Sequence, residues 1–159
     1  MKQVLAITTL LSALAGPTAQ ATIIEYDLNS LGGQSYEYVY NVINDTLAEE
    51  LVQFTVYFSD TATNLAVGSS TPVDWDPLVI QQDPLLPDSG FYDGFALNLG
   101  IAPGDSLGGF SVAFDWNDPS SVPGSQFFEI YDGISFVPLE TGDTVPAIPP
   151  TPVPEPSAS

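Results

Sequence analysis

The 159-residue chain has no cysteine and no histidine, and lysine and arginine together amount to one residue, Lys2. Each absence removes a class of chemistry. Without cysteine there are no disulfides, on which many small exported domains depend, and without cysteine and histidine there is no zinc site of the usual ligand type. A Ser-His-Asp arrangement cannot form. The missing Cys and near-missing Lys remove most other covalent nucleophiles, and no Gly-rich phosphate loop with its lysine is present. Long hydrophobic runs are equally scarce. The mostly apolar stretch from Val4 to Ala15 is shorter than the roughly 20 residues a transmembrane helix needs.

That stretch has a different reading. It follows the positive start Met1-Lys2, ends at the helix-breaking Gly16-Pro17, and is followed by Ala19-Gln20-Ala21, with small residues where a signal peptidase reads. This order is that of a secretory leader, so residues 1–21 are expected to be removed. Lys2 leaves with them. The remaining chain keeps all 20 Asp and Glu and no basic side chain, so its only positive group is the new α-amino terminus. Nucleic acid is excluded as a partner, because phosphate binding runs on Lys and Arg. An anionic membrane surface is excluded for the same reason. Internal salt bridges are nearly impossible, and the fold has to rest on apolar burial and backbone hydrogen bonds. Crowded carboxylates repel one another. On that ground their pKa values are expected to be raised, with salt, calcium and mild acidification all stabilising.

What is abundant points to β-structure: nine Phe, seven Tyr, two Trp, 13 Gly and 15 Pro. Apolar and polar residues alternate along residues 22–29, 35–43, 51–59, 91–99, 107–114 and 127–139. Tyr36, Tyr38, Tyr40 and Val42 share one face, as do Val52, Phe54, Val56 and Phe58, with Gln53, Thr55, Tyr57 and Ser59 opposite. Phe95, Leu97 and Leu99 form another such row. Residues 63–67 and 78–81 are weaker strands, separated by a loop over residues 68–77. Asp132-Gly133 signals a two-residue hairpin between strands 127–131 and 134–139. The sum is an all-β fold, an antiparallel sandwich of roughly eight or nine strands over residues 22–140, with a β-barrel as the alternative. Residues 141–159 read as a Pro-rich tail, stiffened into polyproline II from Val145 onward.

The tail carries Val153-Pro154-Glu155-Pro156-Ser157. With the leader, and with the body segments Tyr36–Asn44, Phe54–Phe58, Gly108–Val112 and Pro123–Glu129, it resembles the PEP-CTERM family of exported bacterial proteins with uncharacterised β-rich domains. The resemblance implies exosortase-type sorting machinery as a partner, with Pro154, Glu155 and Pro156 as the sorting motif. It also implies export through the inner membrane of a Gram-negative bacterium and association with an exopolysaccharide matrix. The family's hydrophobic helix and Arg cluster do not follow the motif. No stable membrane anchor is therefore expected in this chain, which reads either as truncated or as a released soluble product.

Two loop clusters carry ligand-like chemistry. Asp74-Trp75-Asp76 and Asp115-Trp116-Asn117-Asp118 offer carboxylates spaced for a hard cation such as calcium, although neither fits an EF-hand loop. Their indoles could stack on a sugar whose hydroxyls the neighbouring acids accept. The competing reading makes the acids turn formers and both Trp core anchors. Asn44-Asp45-Thr46 matches a glycosylation sequon, which a bacterial secretory context makes incidental. With no catalytic constellation, the sequence is that of a non-enzymatic extracellular or matrix-associated protein. The alternative is a calcium-assisted carbohydrate-binding module.

Overall fold

Period-two alternation governs most of the chain. The computed structural model describes residues 22–147 apart from 84, 86 and 87, and among these there are ten strands and no helix. The strands are β1 (Ile23–Gly32), β2 (Ser35–Ile43), β3 (Gln53–Tyr57), β4 (Ala62–Val67), β5 (Trp75–Ile80), β6 (Phe91–Ala96), β7 (Ser106–Trp116), β8 (Phe127–Tyr131), β9 (Pro138–Asp143) and β10 (Val145–Pro146). They form two five-stranded sheets, ordered β10-β1-β2-β7-β4 and β5-β6-β3-β8-β9. All pairings are antiparallel except β1 with β10. The architecture is a β-sandwich, not a closed barrel. The expected leader, residues 1–21, and the motif Pro154-Glu155-Pro156 lie outside the described residues.

The core is aromatic. Tyr38, Tyr40, Phe110 and Phe114 of the first sheet face Phe54, Phe58, Tyr92 and Phe128 of the second, with Ile24, Val42, Val56, Val112 and Ile130 between them, all buried. Phe110 stands edge-on to both Phe54 and Trp75, each at 4.9 Å between ring centroids and 82°. Such edge-to-face pairs add to the burial term. Two buried phenols reach partners across the sandwich: Tyr38 donates to the Gly124 carbonyl at 2.7 Å and Tyr40 to Gln126 Oε1 at 2.6 Å.

Prolines mark the edges. Pro77 lies in β5, Pro138 in β9 and Pro146 in β10, all outermost strands, where a missing N–H costs no ladder bond and discourages edge-to-edge association. In β7, Gly109 takes a φ of 94° and absorbs the extra residue where Tyr40 pairs with Phe110 but Asn41 pairs with Gly108.

Three sequence expectations are corrected. The domain does not end at residue 140. β9 runs to Asp143 beside β8, the buried Thr144 carries the chain across to the other sheet, and β10 pairs in parallel with β1 through Glu25–Val145 and Tyr26–Pro146. Proline-rich composition fits an edge strand as well as a tail. The β8–β9 connection is Asp132–Val137, not the two residues Asp132-Gly133. The Asp132 carboxylate accepts from the amides of Ile134 and Ser135 and so winds a longer turn. The strand at 91–99 ends at Ala96 and turns Tyr92, Gly94 and Ala96 inward, leaving Leu97 and Leu99 exposed. The residue facing Phe54 there must be small, since a Cβ on Gly94 would lie 2.7 Å from the Phe54 ring. The sequon is also closed, because Asn44 is fully buried and its amide donates to the carbonyls of Glu49 and Ile101.

Candidate functional site

The outward face of the second sheet is not a solvated polar surface. Strand register lays out three rows across it. One runs Leu78, Asp93, Thr55, Glu129, Thr141. A second runs Asp76, Phe95, Gln53, Tyr131, Pro138. The third begins Ile80, Phe91, Tyr57 and continues to Phe127, whose ring centroid lies 5.8 Å from that of Tyr57. Acceptor-rich side chains therefore occupy the centre, and aromatic and aliphatic groups surround them. Phe127 is 46% exposed and Leu78 50% exposed. The β8–β9 turn adds Phe136, 63% exposed, which lines the same groove as Gln53, Thr55, Tyr57, Asp93 and Tyr131. Phe136 sits at a φ of 55°, a left-handed conformation costly for a bulky residue. Hydrogen bonds from its amide to Asp132 O and from Asp132 N to Val137 O hold it there. Strain of this kind concentrates at functional sites.

Each central carboxylate is held by neighbours. Asp93 Oδ1 accepts from Thr55 Oγ1 at 2.6 Å and from Gln53 Nε2 at 3.0 Å. Glu129 Oε2 accepts from the phenols of Tyr57, at 2.7 Å, and Tyr131. Burial raises the Asp93 carboxyl above its ordinary range, the Thr55 and Gln53 donors offset part of that rise, and Asp76 adds to it. Burial also raises both phenols, as does their bonding to Glu129, so they remain donors at neutral pH. Gln53 Oε1 is buried without a hydrogen-bond partner among the described residues. With no cation nearby the face repels anions. It offers apolar ring faces beside acceptors, a combination suited to a neutral polyhydroxylated ligand.

The residues singled out in the sequence lie mostly elsewhere. Trp75 is only 6% exposed and packs in the core, so the expectation of a ring free to stack there is corrected. Asp74 precedes it at a φ of 66° and accepts from Asn98 Nδ2. Of that cluster only Asp76 reaches the outward face, beside Phe95. Trp116 is half-buried at the end of β7, on the other sheet, and its indole donates to Ser121 Oγ at 3.2 Å. Asp115 accepts from Ser35 Oγ and Asn64 Nδ2. Asp118 accepts from the amide and hydroxyl of Ser120 and the hydroxyl of Ser121. Turn chemistry thus engages Asp118, and side chains of distant segments engage Asp74 and Asp115. Among the described residues no three or more His, Cys, Asp or Glu side chains gather where they could hold a metal. The outward row Gln53, Thr55, Tyr57 was legible as alternation. Asp93 and Glu129 were not, because their meeting on either side of Thr55 is a matter of register.

Apart from Asp93, the shifted carboxylates run against the expectation drawn from crowding. Hydrogen bonds lower Asp115, through Ser35 and then Asn64, and Asp118, through Ser120 and then Ser121. The amides of Ser135 and Ile134 lower Asp132. Burial raises Glu37, but donors from Ser69 and Ser111 outweigh it. Hydroxyls and amides stand in for the missing cations. These lowered groups contribute stability above their unfolded pKa values and lose it as pH falls through the folded ones, so mild acidification leaves them intact and only stronger acid removes their contribution. Asp93 has the opposite sign: its contribution is full at low pH and lost as pH rises through its raised value. Asp93→Asn is therefore expected to stabilise the protein by about 0.5–2 kcal/mol at pH 7, within the usual range for relieving a strained site. The gap over wild type should close towards pH 4. Urea melts at the two pH values check this, and a variant less stable than wild type at pH 7 contradicts it.

No family model matches the chain, and neither does any curated protein. Among solved structures, it is similar to an uncharacterized protein from Nocardia farcinica with an immunoglobulin-like fold. The two share 16% identity over 68% of this chain and 75% of that one, with a TM-score of 0.50. A cohesin module from a Clostridium perfringens family 33 glycoside hydrolase matches at 9% identity over 79% and 96% of the two chains, with a TM-score of 0.42. The fold is an immunoglobulin-like β-sandwich.

Proposed function

We propose that this chain is an exported, non-enzymatic protein of an extracellular matrix that holds neutral polysaccharide on the outward face of its second sheet. One observation carries the reading: aromatic side chains, with Phe127 and Phe136 open to solvent, surround a centre of carboxylate and amide acceptors. Sugar rings present C–H faces to such aromatics and hydroxyl donors to such acceptors. The acceptors are preset by Thr55, Gln53 and the two phenols. The secretory leader supports export. The Pro154-Glu155-Pro156 motif supports sorting by exosortase-type machinery and a place in an exopolysaccharide matrix.

Affinity electrophoresis through gels containing neutral or polyanionic polysaccharide tests the site. Neutral polymers are expected to retard the protein, and polyanionic ones are not. Phe127→Ala combined with Phe136→Ala should weaken retardation about tenfold, since an aromatic contact contributes about 0.5–1.5 kcal/mol and a factor of ten is about 1.4 kcal/mol. Both rings are exposed, so folding is little affected. Retardation by none of the neutral polymers, or retardation unchanged in the double variant, overturns the proposed site. Turnover of any glycoside overturns the non-enzymatic assignment.

A further inference from the structure

We propose that the fold contains a built receptor for the α-ammonium group freed by cleavage between Ala21 and Thr22, with Glu140 as its counter-ion. The reading rests on the chain being exported and cut at that bond.

Glu140 sits unusually for a carboxylate. On the edge strand β9 it pairs with Ile130, in the row that continues through Phe54 to Gly94, the core-facing side of the second sheet. Its row neighbours Ile130 and Phe54 carry no charge and are fully buried. Its two oxygens turn instead to the opposite sheet and to the β2–β3 connection. Oε2 accepts from the main-chain nitrogen of Thr22 at 2.9 Å, and Oε1 accepts from Thr46 Oγ1 at 2.6 Å. Burial raises this carboxyl, and the Thr22 and Thr46 donors more than offset the rise.

Thr22 is the first described residue and is only 3% exposed. Its own hydroxyl is buried without a partner among the described residues, beside a nitrogen that has already found a carboxylate. In the cleaved chain this nitrogen carries the sole positive charge of the protein. An ammonium there has three N–H donors where the amide has one, and places them next to a buried hydroxyl and a half-buried carboxylate. A charge-assisted bond of this kind is roughly twice as strong as its neutral counterpart. The pair also ties β1 of the first sheet to β9 of the second at an open edge of the sandwich.

Two consequences follow. The scissile bond adjoins a buried residue, so cleavage has to precede docking of β1. The domain also reaches full stability only after the leader is gone. A chain that keeps one residue before Thr22 presents an amide to Glu140 at 2.9 Å and moves its ammonium away from that contact.

The test compares chains that differ only in whether Ala21 precedes Thr22. One begins at Thr22 with a free amine, and the other begins at Ala21, so that Thr22 N is an amide that still makes the same hydrogen bond. Each is made with and without Glu140→Gln. Thermal melts at pH 7 and low salt are expected to place the Thr22 chain about 3–5 °C above the Ala21 chain. The difference should shrink in 1 M salt and vanish in the Glu140→Gln pair. Equal melting of the two wild-type chains, or a difference that survives Glu140→Gln, overturns the proposal. Mass spectrometry of the protein recovered after export from a bacterial host separates this from the reading beneath it. A start other than Thr22 removes the export-and-cleavage premise, whereas a Thr22 start with equal melting removes the receptor alone.

Discussion

Asn44→Asp is expected to destabilise the domain by on the order of 3–5 kcal/mol, the usual cost of leaving a buried charge without its partner. The substitution barely changes shape. Asn44 is fully buried, and its Nδ2 donates to the carbonyls of Glu49 at 2.9 Å and Ile101 at 2.8 Å. Its Oδ1 accepts from the Leu47 amide at 3.3 Å, and its own main chain bonds Asp105 and Gly104. One side chain thus organises both the β2–β3 connection and the turn before β7. An aspartate places a carboxylate against two carbonyl oxygens, with no cation in the body to relieve it. Against a total stability of about 5–15 kcal/mol this is a large share. Urea denaturation at pH 7 should show it, with partial recovery at acid pH as the new carboxyl protonates. Asn44→Ala, which removes the donors without adding charge, should cost less. An Asn44→Asp chain as stable as wild type at pH 7 would falsify the assignment.

Phe110→Ala is expected to cost about 3–5 kcal/mol, the range for emptying a buried phenylalanine site. Phe110 projects from β7 between Phe54 and Trp75, with centroids 4.9 Å from each. Its loss removes the wedge that joins the sheets, and a cavity walled by large rings collapses poorly. The urea midpoint should fall while the slope of the transition stays constant, because the folded topology is unchanged. A loss below 1 kcal/mol would show that neighbouring rings repack into the space.

Much of the sandwich was written in local pattern. Tyr38, Tyr40 and Val42 on β2, Phe54 and Val56 on β3, and Phe110, Val112 and Phe114 on β7 were placed inward by alternation alone, and they are buried. Pattern failed where two strands compete for space or where composition misleads. Phe95, Leu97 and Leu99 looked like a core face, but close packing on Phe54 requires the glycine at 94, which turns the row containing Tyr92 inward. Residues 141–146 looked like a tail, yet an edge strand tolerates Pro146. The site was least legible. Asp93 and Glu129 lie 36 positions apart in the chain, and only their separate pairing with Thr55 sets them in one row. The Trp-Asp clusters, conspicuous in the sequence, hold a core anchor at Trp75 and a hydrogen-bonded turn at Asp118.

By itself the sequence determined an all-β body with aromatic inward faces and, from Thr22 onward, without a basic side chain, because residue type and period two act locally and survive any arrangement of strands. Only the tertiary structure decided how the carboxylates are accommodated without cations, through hydroxyls and amides brought from distant segments. It also decided which outward face gathers rings around acceptors. Both depend on register and strand order, which local sequence does not encode.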